Sequence, residues 1–428
     1  AYNACLPKLS EYSTEMGQNG KLFNAYRVIA EGDAFAGLDQ AQQKAVNNAL
    51  RDFRLSGIDL NENDQKRFKE ISQELSKLTS KFEENVLDAT NAWTKHIEDE
   101  SLLKGLPETA MGLARQTAER HDKTGWMITL EFPSFLAVMT YADNRELRKE
   151  LYTAFSTRAS DQGPDAGQWD NTETMEKILA LRHEKAQLLG FDNYAEYSLA
   201  TKMADSPEQV TDFLENLAAK SKHQAQQDLE DLRQFAKAEH GLENLEAWDT
   251  SYYSEKMRQH HFQLSQEEVK AYFPVTRVLP GLFQVVEKLY GLKVSEIKDF
   301  DSWHEDVRFF QINDKNGMLR GRFFLDLFAR PKKRGGAWMD DCVSRKKSSG
   351  QLQTPVAYLT CNFTPPTGDD PALLTHDEVL TLFHEFGHGL HHMLTQIDYL
   401  AVSGISGVEW DAVELPSQFM ENWCWEQE

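Results

Sequence analysis

A chain of 428 residues with 40% hydrophobic and 11% aromatic side chains can build a substantial core, which excludes a disordered chain and allows two or three domains. The formal net charge of -22, from 68 acidic against 46 basic residues, excludes a general nucleic-acid binder, which needs a basic surface. Cys5, Cys342, Cys361 and Cys424 are widely spaced and form no C-x-x-C pair. Neither a disulfide framework nor a thiolate metal site is expected, and a reducing compartment, the cytoplasm, is.

The chain opens on "AYNACLPKLSEY", which has neither the basic start nor the apolar middle of a secretory signal. No run approaches the ~18 apolar residues of a membrane span; "FLAVM", Phe135 to Met139, is among the longest. From Glu62 to Trp93 the apolar residues Phe68, Ile71, Leu75, Leu78, Phe82, Val86 and Leu87 recur mostly three and four apart, which predicts an amphipathic packing helix. "GWMITLEF" (Gly125 to Phe132) reads as a short strand. Helical patterns resume at Asn144 to Arg158 and Glu173 to Gly190, with the polar loop "RASDQGPDAGQWDN" between them. Ser206 is a helix N-cap with Pro at the first helical position, and the helix it starts runs in polar form toward Gly241.

Near Trp303 the texture changes. "VRFFQIND" (Val307 to Asp314), a Lys-Asn-Gly turn and "MLRGRFFLDLF" predict a hairpin, because Asn-Gly between β-rich runs supplies the backbone that tight turns need. "GGAWMDDCV" (Gly335 to Val343) and "PVAYLTCNF" (Pro355 to Phe363) read as two further strands. The expected fold is mainly α with a small, largely antiparallel β-sheet. A soft boundary near residue 300 divides a helical region, 1–300, from a compact sheet-plus-helix unit, 301–428. The strand "AYLTCNF" reads either as the sheet edge that lines a cleft or as an ordinary core strand.

After a Pro/Gly/Asp loop, Thr375 and Glu378 form a capping box that should start a helix from Asp377 to about Gln396. On it His384 and His388 stand at i and i+4, one turn apart on one face, so two imidazoles can reach one metal ion. Glu385 is rotated about 100° from His384 and can lie beside a metal-bound water instead. This H-E-x-x-H spacing suits a zinc peptidase, in which the ion acidifies the water and Glu385 takes its proton and passes it to the leaving amine. The third protein ligand that a catalytic zinc usually has is not the residue of the H-x-x-G-x-x-H extension, since His391 and Leu394 occupy those positions. Glu409, Glu414 and Glu421 are all within reach, and spacing does not choose among them. Asp411 is a candidate cap for a second helix carrying Glu414 in its first turn, with Gln418 one turn on and placed to hold a histidine's outer N–H. His391 and His392 read as structural.

The segment "FHEFGHGLHHML…SGISGVEWDAVELPSQFMENWCWE", together with "RASDQGPDAGQWDN", "RGGAWMDDCV" and "PVAYLTCNF", resembles the thimet-type oligopeptidase family of zinc metallopeptidases. The resemblance implies a zincin-like (gluzincin) catalytic unit in a helical two-lobed molecule with a deep channel. It implies one zinc ion on His384, His388 and Glu414, with Glu385 as the catalytic base. It also implies short unstructured peptides as substrates, signal-peptide fragments among them, with no nucleic-acid or membrane partner. Compared with the family the chain looks truncated at both ends. The expectation is therefore a monomeric full-length form and a fragment that self-associates and turns over peptides weakly or not at all. Two rival functions are a metal-stabilised, non-catalytic binding scaffold and a different hydrolase on the same zinc site.

Overall fold

The computed structural model describes residues 2–368 and 371–426. Its first part is helical. Helix α1 (Glu62–Ala92) begins where Asn61 accepts hydrogen bonds from the N–H groups of Asn63 and Asp64, and it buries Phe68, Ile71, Asn85 and Ala89. It packs against the helix Thr172–Leu188, and Asn85 donates a 2.8 Å hydrogen bond to Asn171. The strand read at Gly125 to Phe132 is Trp126–Thr129, paired antiparallel with Thr94–Ile97. Helix α2 (Pro207–His240) starts at Ser206 as its cap chemistry dictates and closes on Gly241, whose left-handed φ of 66° favours glycine. It buries only Leu232 and Ala236; Val210, Phe213, Leu214 and Leu217 are exposed. No helix among the described residues is long and apolar enough to cross a membrane.

The sheet has five strands: β1 (Lys293–Ile297), β2 (Arg308–Asn313), β3 (Leu319–Phe328), β4 (Trp338–Val343) and β5 (Val356–Phe363), in the order β1-β2-β3-β5-β4. All pairs are antiparallel except β3 with β5. The β2–β3 hairpin turns at the Asn-Gly pair. Asp314 Oδ1 accepts from the N–H groups of Asn316 and Met318, and Gly317 takes a φ of 80°. β1 escapes a sequence reading because "KVSEI" is short and mostly polar. The strand order corrects the edge reading. "AYLTCNF" lies in β5, between β3 and β4, and the edge is β4, which precedes β5 in sequence but pairs outside it.

One apolar cluster joins the sheet to the helix α3 (Val275–Tyr290) and to the helix α4 (His376–Leu394). Leu282 and Val286 of α3, Phe310, Phe323 and Leu359 of the sheet, and Leu382, Phe386 and Leu390 of α4 all belong to it. Phe310 and Phe323 stack at 5.0 Å, and Phe386 meets Phe323 edge-on at 5.3 Å. Truncating a side chain as buried as Leu382 (0% exposed) would cost about 2–5 kcal/mol, since the cavity cannot collapse among these rings. The 1–300 and 301–428 division is a proposal about sequence texture; the sheet begins at Lys293 and its core draws on α3.

A cleft of about 1040 Å³ opens between the two regions. α1 and residues around Phe132 and Phe155 form one wall; residues 329–337 before β4 and the first turns of α4 form the other.

Candidate metal centre

Thr375 caps α4 as its sequence requires, accepting from the Glu378 N–H while the Glu378 side chain accepts from the Thr375 N–H. The helix this starts carries His384 and His388 on one face, their ring centroids 5.0 Å apart. Glu414 meets them from the next helix, α5 (Leu415–Glu421), whose N-cap position it occupies. Glu414 Oε2 lies 3.1 Å from His384 Nε2 and 3.1 Å from His388 Nε2. One ligand atom from each of the three residues falls within 4.8 Å of the other two.

Protonation suits these atoms for a cation. Glu421 Oε1 lies 2.6 Å from His384 Nδ1; a carboxylate accepts, so Nδ1 donates there and Nε2 is the ring atom turned toward Glu414. Burial pushes the pKa of His388 down, favouring the neutral ring. Partial burial would raise the pKa of Glu414, but the Ser417 hydroxyl, 2.8 Å away, and then His388 and His384 outweigh it and lower it. Two imidazoles and a carboxylate are a donor set that fits zinc.

Glu385 lies beside this set, 6% exposed, with Oε2 buried and without a partner among the described residues. Burial pushes its pKa up to about 7; His384 lowers it, Glu414 raises it further, and a hydrogen bond from the Met339 backbone on β4 lowers it. A carboxyl that titrates near neutral pH can both take and give a proton there.

What brings Glu414 within reach is a glycine. A β-carbon on Gly387 would lie 2.5 Å from the Pro416 carbonyl oxygen and 2.6 Å from the Ser417 Cα, so α4 and the start of α5 touch backbone to backbone. This close seat suits the fully buried Ser417 (0% exposed), whose hydroxyl also donates to the Glu414 carbonyl.

The profile of peptidase family M3 matches residues 138–428, and the N-terminal domain of neurolysin/thimet oligopeptidase matches residues 1–66. The chain belongs to peptidase family M3. Among relatives of this M3 chain, Oligopeptidase A of Salmonella typhimurium and that of Escherichia coli are each 59% identical over 429 residues, covering 100% of this chain and 63% of theirs. An organellar oligopeptidase A of Arabidopsis thaliana, chloroplastic/mitochondrial, is 43% identical over 437 residues, covering 99% of this chain and 54% of its own. The M3 chain thus spans less than two thirds of the length of the curated relatives it matches. A solved PZ peptidase A with an inhibitor shares its fold, with a TM-score of 0.54 at 16% identity over 99% of this chain and 58% of that one.

Not every expectation about the site's surroundings holds in this M3 chain. Asp411 caps no helix carrying Glu414. Its carboxylate accepts from the backbone N–H groups of Met203 and Ala204, far away in sequence, so it ties the two regions together. Gln418 is exposed and makes no hydrogen bond to either histidine among the described residues, because the position beside His384 Nδ1 is taken by Glu421. Glu421 stands seven residues after Glu414, two turns on and on nearly the same face. Glu409 instead pairs with Lys44 at 2.5 Å. His392 is fully buried and donates from Nε2 to the Val343 carbonyl at 3.0 Å, a structural role. Burial lowers the pKa of His391, and its Nδ1 has no partner among the described residues. Of the residues the sequence missed, Gly387 left a signal: a glycine inside a buried helix forfeits about 1 kcal/mol against alanine, which points to a close approach.

Proposed function

We propose that this chain carries the metal centre and catalytic base of a zinc-dependent endopeptidase that hydrolyses short unstructured oligopeptides, cleaved signal-peptide fragments among them, in the cytoplasm. One observation carries the reading: His384, His388 and Glu414 converge within 4.8 Å with the buried carboxyl of Glu385 beside them. A zinc ion held by those three side chains would supply Lewis-acid polarisation of a scissile carbonyl and acidify a water molecule. Glu385 would do the proton work there: its carboxylate would take the water's proton and return it to the leaving amine. Glu421 holds the His384 ring with Nε2 turned toward Glu414. Substrate backbone pairs with the free edge of β4 as an added strand, which restricts substrates to extended chains.

The names of the relatives, each an oligopeptidase A, support the substrate class. The exposed Val210, Phe213, Leu214 and Leu217 favour self-association of this chain, with the longer protein monomeric. The test is cleavage of a short quenched peptide by this chain and by a form extended to the relatives' length. Cleavage that is lost with a chelator and with Glu385→Gln supports the reading. Zinc binding without peptidase activity in either form points to a scaffold, and hydrolysis of non-peptide substrates alone points to a different hydrolase.

A further inference from the structure

Arg158 faces the cleft between the two regions with its charge unmatched. Its Nε donates to the Phe155 carbonyl at 2.8 Å and its Nη1 to the Thr90 hydroxyl at 2.9 Å, both neutral acceptors. Nη2 has no acceptor among the described residues. Burial lowers the pKa of this guanidinium and no carboxylate nearby opposes the effect. Other cations on the cleft wall are already engaged. Lys270 pairs with Glu267 at 3.1 Å, and Arg330 and Lys333 pair with Asp326 at 2.7 and 2.8 Å. Arg334 is exposed and lies over the Trp338 ring.

The guanidinium of Arg158 is also held in orientation. It lies 3.6 Å from the centroid of the Phe155 ring, and that ring stacks on Phe135 at 3.8 Å. Glu83, Glu84, Glu131, Asp377 and Glu378 also line the cleft, yet none hydrogen-bonds Arg158 among the described residues. A fixed planar fork with free N–H groups beside the apolar Phe155–Phe135 stack is what a carboxylate binds best, because two parallel charge-assisted hydrogen bonds form there.

The sheet edge says which end of a peptide arrives there. Residues 335–337 line the cleft and lead directly into β4, which runs from Trp338 to Val343. A peptide added antiparallel to β4 has its C-terminal end at Trp338, hence toward the cleft. A parallel peptide would present its amino terminus, which a guanidinium repels.

We propose that Arg158 is a carboxylate anchor of the cleft, holding the C-terminal carboxylate of a short peptide that lies antiparallel to β4. The proposal rests on the peptidase reading. It makes Arg158 a specificity residue that limits how many residues follow the cleaved bond, and it favours short peptides, whose C-termini can reach the cleft, over the interiors of long chains.

The experiment uses the full chain with Glu385→Gln, loaded with zinc, and measures binding of three hexapeptides by competition. One has a free C-terminal carboxylate, one is its amide, and one is an amide with glutamate as the last residue. The free acid should bind about tenfold or more tightly than its amide, as charge-assisted hydrogen bonds allow. In Arg158→Gln the ratio should fall to near one, while circular dichroism and zinc affinity unchanged from the parent show that the variant is folded. Arg158→Lys should keep part of the ratio, since it keeps the charge and loses the fork. Equal binding of acid and amide, or a ratio that survives Arg158→Gln, overturns the anchor alone. A glutamate amide that matches the free acid overturns the C-terminal assignment in favour of an acidic side chain. A protein that binds zinc and none of the three peptides overturns the peptidase reading as well.

Discussion

Gly387 and Ser417 meet backbone to backbone: a methyl group on Gly387 would come within 2.6 Å of the Ser417 Cα. Alanine there would gain about 1 kcal/mol of helix propensity and lose about 1–3 kcal/mol to overpacking. The clash falls on backbone, which cannot rotate away, so the start of α5 must move and take Glu414 with it. Gly387→Ala should therefore weaken zinc binding at least tenfold while circular dichroism stays helical. Unchanged zinc affinity in a folded Gly387→Ala protein would falsify this role.

Glu421 rather than Gln418 orients His384, through the 2.6 Å hydrogen bond to Nδ1. Glu421→Ala should cost about 10–100-fold in metal affinity, the usual effect of losing a partner behind a metal-bound histidine. Gln418→Ala should leave affinity unchanged. Zinc titrations of the two variants side by side decide this, and a larger effect from Gln418 would reverse the assignment.

Glu385 sets a pH dependence in the metal-free protein. Its folded pKa of about 7 lies above the ordinary 4.5, so folding favours its protonated form. That contribution is complete below about pH 4.5 and is lost as pH rises through 7. His388 and His391, whose pKa values burial lowers, act with the opposite sign in this range, so the effect is read as a difference: between pH 5.5 and pH 8 the metal-free protein should lose melting temperature relative to Glu385→Gln. An identical pH profile in Glu385→Gln would show that the dependence arises elsewhere.

Asp326 gives the opposite sign. Its side chain is buried, which would raise its pKa, but hydrogen bonds from Arg330 and Lys333 outweigh burial and hold it at about 2. The stabilisation, on the order of 2 kcal/mol, is present above the ordinary 3.8 and is lost as pH falls through 2. Lys333 also donates to the Phe328 and Cys361 carbonyls at 2.8 and 2.6 Å, so it pins residues 329–336 to the sheet. Lys333→Met should destabilise the fold by about 3 kcal/mol and shrink the acid-induced loss. Urea unfolding at pH 7 and pH 3 measures both.

Local chemistry was legible in the sequence; the relations between distant segments were not. Thr375 and Glu378 announce the start of α4, and the i, i+4 spacing of His384 and His388 follows from helix geometry alone. Glu414 stood out only through the family resemblance, because the loop before it hides whether residue 409, 414 or 421 folds back. Asp411 misled for the same reason: an acidic residue ahead of a helix looks like a cap until Met203 and Ala204 supply the N–H groups it accepts from. The strands were visible from β-branched and aromatic runs, yet nothing in "AYLTCNF" reveals that an earlier strand pairs outside it. Arg158 carries no motif; only the fold leaves it facing the cleft with no hydrogen bond to a carboxylate among the described residues.

The central claim is that His384, His388 and Glu414 hold one zinc ion. Equilibrium zinc titration of the chain, beside its His388→Ala and Glu414→Ala variants, tests it most directly. One tightly bound zinc per chain is predicted, with affinity falling by a hundredfold or more when either ligand is removed. Zinc held equally well by the variants, or no zinc held by the folded parent, would contradict it.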